Sequence, residues 1–141
     1  MKADRLVIDS NVWIAGLLSP TGTARRLIDA VLERELTVLM SEATFTELVE
    51  RLNRPKFDRY RDAGAWDLFL SELIELASWH EDSDCAAGVC RDADDDKFLS
   101  LAVTAEADVL ITGDSDLLQL GSYSGIPLMS PAQFVQSLMQ P

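Results

Sequence analysis

Apolar residues along this chain fall into two rhythms. Short runs bounded by polar residues fit buried strands, and stretches in which apolar positions recur every three or four residues fit amphipathic helices. Residues 5–9 (RLVID) form an apolar run that ends in a carboxylate, as a buried parallel strand does when it presents Asp9 at its C-terminal end. Ser10 and Asn11 are placed to cap a helix over 12–18, and Ser-Pro-Thr-Gly at 19–22 is a turn. Leu27, Ile28, Val31 and Leu32 stripe a helix over 24–34. Residues 36–40 (LTVLM) read as a second strand, and Ser41 caps a helix reaching 53 that Pro55 ends. Residues 56–61 suit a short helical or irregular connector, 65–77 a further helix, and 81–94 a polar loop. The spacing then predicts a helix over about 95–105, a strand over 109–112, a short strand near 127–129 and a helix over 131–139.

Strands alternating with helices at this spacing imply an α/β domain with a mostly parallel sheet of four to five strands, covered on both faces. Length agrees with one domain over 1–141, and no internal repeat or linker interrupts it. At 48% hydrophobic and 26% charged, the chain reads as globular. No apolar run approaches the roughly 18 residues that span a bilayer. The first residues lack a secretory pattern, so a cytoplasmic location is expected. Cys85 and Cys90 have no second pair to complete a zinc motif, and free thiols are expected.

Net charge is −12, which by itself argues against a nucleic-acid partner. Its distribution changes that picture. Residues 1–61 hold 10 basic and 9 acidic side chains (+1), whereas 62–141 hold 2 and 15 (−13). Arg51, Arg54, Lys56, Arg59 and Arg61, interleaved with Phe57 and Tyr60, form a basic stretch suited to an RNA backbone and an unpaired base.

The acidic half is densest over 91–118, where Asp92, Asp94, Asp95, Asp96, Asp114 and Asp116 bracket one helix and one strand. On a helical wheel Phe98, Leu99, Ala102 and Ala105 share the core stripe with Asp95, while Asp96 falls beside Ser100 and Thr104 on the polar side. Functional groups in such sheets gather at the carboxyl ends of strands. Asp9 and Asp114 are therefore neighbours if their strands are. Four carboxylates at about 5 Å, with an effective dielectric near 20, repel by on the order of 20 kcal/mol. A typical domain is stable by only about 5–15 kcal/mol. Such a cluster must take up protons, spread apart or bind a divalent cation, and an all-oxygen site suits Mg²⁺ or Mn²⁺ and phosphodiester chemistry. An EF-hand frame from Asp92 fails, because Lys97 stands where Gly is required and Val103 where Glu is required. No phosphate-binding P-loop is present, which disfavours a small-substrate phosphatase. The single His80 has no partners for a Ser-His-Asp triad. On the helix over 42–52, Phe45, Leu48, Val49 and Leu52 point inward, which puts Glu47 on the opposite side with Thr44 and Arg51, a face that meets either a site or only solvent. Spacing does not separate Glu47 from Glu42 or Glu50.

VIDSNVWIAGLL at the start, TELVERLNRPKF in the middle and RDADDDKFLSLAVTAEADVLITGDSDLL near the end resemble, in this order, the PIN-domain ribonucleases. The most similar group is the bacterial VapC-like toxins of toxin–antitoxin pairs. The resemblance implies a three-layer PIN-like fold and acids that bind Mg²⁺ or Mn²⁺ at Asp9, Glu47, Asp95 and Asp114. It also implies supporting polar roles for Asn11 and Thr112; the surplus aspartates Asp92, Asp94, Asp96 and Asp116 are expected as caps, supports of the ligands or rim charge. The activity implied is metal-assisted hydrolysis of RNA, with a cognate antitoxin and a homodimer expected. The alternative is a catalytically weak PIN-fold module that works by binding a partner.

Overall fold

The computed structural model describes residues 3–60 and 64–139; the expected contact at Arg61 lies outside them. Strand β1 (Arg5–Ile8) pairs in parallel with β2 (Thr37–Met40) on one side and β4 (Val109–Ile111) on the other. Beyond β2 lies β3 (Ser78–Trp79), and beyond β4 lies β6 (Ile126–Met129), both parallel to their neighbours. The two-residue β5 (Ser122–Tyr123) folds back antiparallel on β6. The order is β3-β2-β1-β4-β6-β5. Among the described residues the sheet has six strands rather than four to five, because the two residues of β3 and of β5 are too short for any periodicity to register.

Alternation along the strands builds the layers. Leu6, Ile8, Val38, Met40, Val109 and Ile111 face one side, where α1 (Ser10–Leu18), α2 (Thr23–Glu33), α3 (Glu42–Leu52), α4 (Ala65–Leu76) and α7 (Pro131–Leu138) supply Trp13, Leu27, Leu48, Trp66 and Phe134. Val7, Leu39, Leu110 and Leu128 face the other side, against Phe98, Leu99 and Ala102 of α5 (Asp96–Thr104) and Leu117 of the single-turn α6 (Ser115–Leu118). The result is the expected α/β sandwich of a mostly parallel sheet between helices.

Several local expectations are corrected. Ser10 and Asn11 do not cap α1: Asp9 does, its carboxylate accepting from Asn11 N–H at 3.2 Å. Leu32, expected on the inner stripe of α2, is 55% exposed. Of the two environments open to the Thr44 and Glu47 face of α3, it meets protein rather than solvent: both residues are buried, because the starts of α1 and α5 cover that side. Ser100 and Asp96 lie on the polar side of α5 yet are buried, because the loop before the helix folds over them. Ser100 Oγ accepts from Ala86 N–H at 3.0 Å, and Asp96 accepts from Gly88 N–H at 2.8 Å and Cys90 N–H at 2.6 Å.

Candidate active site

Pairing of β1 with β4 brings the two expected strand ends together. Asp9 N–H donates to the Ile111 carbonyl at 2.9 Å, which sets Asp9 beside Thr112. The Thr112 hydroxyl donates to Asp9 Oδ2 at 2.8 Å and accepts from Asp114 N–H at 3.0 Å. One buried hydroxyl thus fixes a carboxylate on β1 and the backbone of the acid after β4. Asp114 in turn caps α6 by accepting from Asp116 N–H at 2.8 Å.

Asp95 closes the cluster from the start of α5. It is 8% exposed, and its carboxyl is pushed up to about 7 by burial first, then by the charges of Asp114, Asp9 and Asp92. A hydrogen bond with Asp114 that requires the Asp95 proton adds to the rise. Burial likewise raises Asp9, helped by the Glu47 charge and opposed by the hydrogen bonds from Thr112 and Asn11 and by Arg51. These shifts are the signature of carboxylates that repel one another in a poorly solvated place.

Glu47 approaches from α3 with both oxygens engaged. Oε2 accepts from Ser10 Oγ at 2.8 Å, and Oε1 accepts from Arg51 Nη2 at 2.9 Å and Lys97 Nζ at 3.2 Å. Glu42 and Glu50, the two alternatives on the same helix, are exposed. Asn11 Oδ1 accepts from Arg51 Nη1 at 2.8 Å, so Asn11 orients a guanidinium at the rim.

The other aspartates separate by contact. Burial raises the Asp96 carboxyl, but the N–H groups of Cys90 and Gly88 outweigh it and hold it below the usual range. Asp96 is therefore the clasp of the preceding loop. Asp92 caps the 3₁₀ turn Ala93–Asp95, accepting from Asp94 N–H at 3.0 Å. Asp116 is exposed and stands 3.9 Å from the Arg91 guanidinium.

Of the basic stretch, Arg51 reaches the acids and Arg54 lines the cleft beside them. Lys56 lies over the Phe57 ring at 5.0 Å, and that ring packs edge-on against the buried Trp66. Phe57 is thus part of the hydrophobic core rather than an open platform for a base. Arg59 and Tyr60 fall in the 3₁₀ turn Pro55–Tyr60. Sequence reasoning missed Ser10 and Lys97. Ser10 follows an acid directly and Lys97 lies between Asp96 and Phe98, so proximity to the motif was the available signal. Cys85 and Cys90 are free, as expected. The Cys90 thiol, near Asp95 and Asp114, is pushed up to about 12 by burial and by Asp96.

Among the described residues, no three His, Cys, Asp or Glu side chains are gathered closely enough to enclose a metal ion. The donor set nevertheless fits a hard cation. Asp9, Asp95 and Asp114 are all oxygen donors, and a divalent ion would relieve the repulsion that raises the Asp95 carboxyl.

A family model described as PIN domain matches residues 5–116. The chain belongs to the PIN-domain family. PIN domains are generally nucleases, typically with divalent metals. This PIN domain is 30% identical over 116 residues to the uncharacterized protein MJ1680 of Methanocaldococcus jannaschii, covering 82% of this chain and 74% of the relative. In fold it is similar to PAE2754 from Pyrobaculum aerophilum, with a TM-score of 0.60, 18% identity, and coverage of 96% of this chain and 89% of that one. It is also similar to VapBC2 from Rickettsia felis bound to a DNA fragment from their promoter. There the TM-score is 0.62 with 14% identity, covering 89% of this PIN domain and 98% of the other chain.

Proposed function

We propose that this PIN domain is a divalent-metal-dependent endoribonuclease and the toxin component of a toxin–antitoxin pair. The observation that carries the reading is Asp95: a buried carboxyl pushed up to about 7 by burial, Asp114 and Asp9, beside the two acids that follow adjacent parallel strands. In this reading Asp9, Glu47, Asp95 and Asp114 hold Mg²⁺ or Mn²⁺. The ion would supply the positive charge that activates water for in-line attack and offsets charge on the phosphate and the leaving oxygen.

The chain's own groups set the stage. Thr112 holds Asp9 and Asp114 in one geometry, and Ser10 holds Glu47 toward the site. Arg51, steadied by Asn11, and the neighbouring Arg54 line the cleft that an incoming RNA backbone would enter. Lys56, on the same connector, extends that contact.

The toxin part of the reading draws on the Rickettsia felis VapBC2 pair, similar in fold, and on an apolar surface of this chain. A groove of about 460 Å³ between α1, α2 and α4 is lined by Trp13, Leu17, Ile28, Phe69 and Leu73. The Trp13 indole N–H is buried there without a partner, and Leu32 and Leu68 are exposed at the edge. A cognate antitoxin is the occupant this reading assigns to the groove, with a homodimer as the toxin's own assembly and the cytoplasm as its place. Among the described residues no helix is long and apolar enough to cross a membrane. The same groove favours the second reading, a weakly catalytic PIN module whose work is partner binding.

An RNase assay with Mn²⁺ or Mg²⁺ tests the proposal. Wild type should cleave single-stranded RNA, while Asp9→Ala and Asp95→Asn should lose activity by about 10²-fold or more. Cleavage that persists in chelator, or in either variant, would overturn the mechanism.

A further inference from the structure

Lys97 has no part in holding the metal ion, and its surroundings are unusual. It follows Asp95 and Asp96 on the first turn of α5, yet reaches across to α3 and donates to Glu47 Oε1 at 3.2 Å. Arg51 Nη2 donates to the same oxygen at 2.9 Å. One carboxylate therefore serves two cations, and Asn11, the other acceptor of Arg51, is neutral. The Glu47–Arg51–Lys97 group keeps a surplus of one positive charge at the border of a cluster that is otherwise anionic.

Its donors are not exhausted. Lys97 makes one hydrogen bond among the described residues, which leaves two ammonium N–H donors. Arg51 Nη1 and Nη2 make one bond each among the described residues, to Asn11 and Glu47, and each nitrogen carries two N–H donors. Both side chains are partly buried, at 26% and 18% exposed, and both line an open cleft of about 480 Å³ together with Arg54. An ion pair made only to buttress Glu47 would need one cation. Two cations on one oxygen, with spare donors beside a cleft, suit an anion that arrives from outside.

Resting on the ribonuclease reading, we infer that Lys97 and Arg51, held in register by Glu47, form the seat for one phosphate of the RNA strand. The seat lies beside the acids, so the seated phosphate is next to the bond that is cut. The cleft also carries Glu42, Glu50, Asp82 and Asp94. These carboxylates turn a polyanion away except where the three cations concentrate, which limits the seat to a single phosphate rather than a track. Lys97 is thus a substrate-binding residue, and Glu47 acquires a second duty as the anchor of the cationic pair.

The test is binding of a fluorescently labelled single-stranded RNA oligonucleotide in chelator, by anisotropy across a range of NaCl concentrations. Wild type, Lys97→Gln and Lys97→Arg are compared, each checked by thermal melting; both replacements are good helix formers. Lys97→Gln should weaken binding several-fold and flatten the slope of log affinity against log salt by about 0.7, the value of one single-strand phosphate contact. Lys97→Arg should keep most of both, and in cleavage with Mn²⁺ the Gln variant should lose mainly in KM. A wild-type slope in Lys97→Gln overturns the phosphate seat while leaving the ribonuclease reading standing. If wild type binds and cleaves no RNA, both fall together.

Discussion

Burial and the charges of Asp114, Asp9 and Asp92 favour the protonated form of Asp95 in the fold. Its carboxyl stands at about 7 in the folded chain against 3.8 for the unperturbed group. The stability it contributes is complete below the unfolded value and is lost as pH rises through about 7. In chelator, the melting temperature of wild type minus that of Asp95→Asn should therefore fall between about pH 4 and pH 8, since Asn imitates the protonated acid at every pH. A difference that stays flat across this range would mean that Asp95 is not under strain. The Thr112 hydroxyl is donor to one acid and acceptor for the backbone of another. Thr112→Val should cost about 1–3 kcal/mol in urea unfolding, the usual penalty for stranding buried polar groups, and should lose RNA cleavage. Thr112→Ser keeps the hydroxyl and should retain both.

Elements, not single residues, decide which aspartates are near the chemistry. α5 begins where the loop over residues 84–90 folds back, and Asp96 clasps that loop through Gly88 and Cys90. Asp96→Ala should release the loop and lower stability by about 2–5 kcal/mol, as hydrogen bonds to a charged, buried acceptor are lost. Hydrogen exchange localised to Gly88 and Cys90 would check it, and unchanged protection there would count against the clasp. The parallel sheet and its covering helices were legible in the sequence because strands of four or five apolar residues and stripes such as Phe98–Leu99–Ala102 announce their own period. Asp9 and Asp114 were legible as strand-end acids for the same reason. What single-helix periodicity could not carry was anything requiring a second element. Glu47 could not be told from Glu42 or Glu50 until α1 and α5 covered its side, and Asp96 looked solvated until the loop closed over it. Lys97 was illegible on the same ground, since its partner lies 50 positions away.

Across the whole molecule, charge and topology work together. A net charge of −12 does not favour polyanion binding in general, so recognition of RNA must be local, at the cleft where Arg51, Arg54 and Lys97 stand. A cation that joins the acids competes with the proton on Asp95, so Mn²⁺ should raise the melting temperature more at about pH 8 than near pH 5.5. Differential scanning calorimetry with and without the ion reads this directly, and an equal shift at both values would place the ion elsewhere. The ends of the sheet have a consequence of their own. Both boundary strands, β3 and β5, are two residues long, and β5 arrives by doubling back against the parallel run. Neither offers the long, flat row of unpaired amides on which a foreign strand could template itself. Any assembly of this protein is thereby steered away from edge-to-edge stacking, and from the fibrils that grow by it, toward association through helical faces.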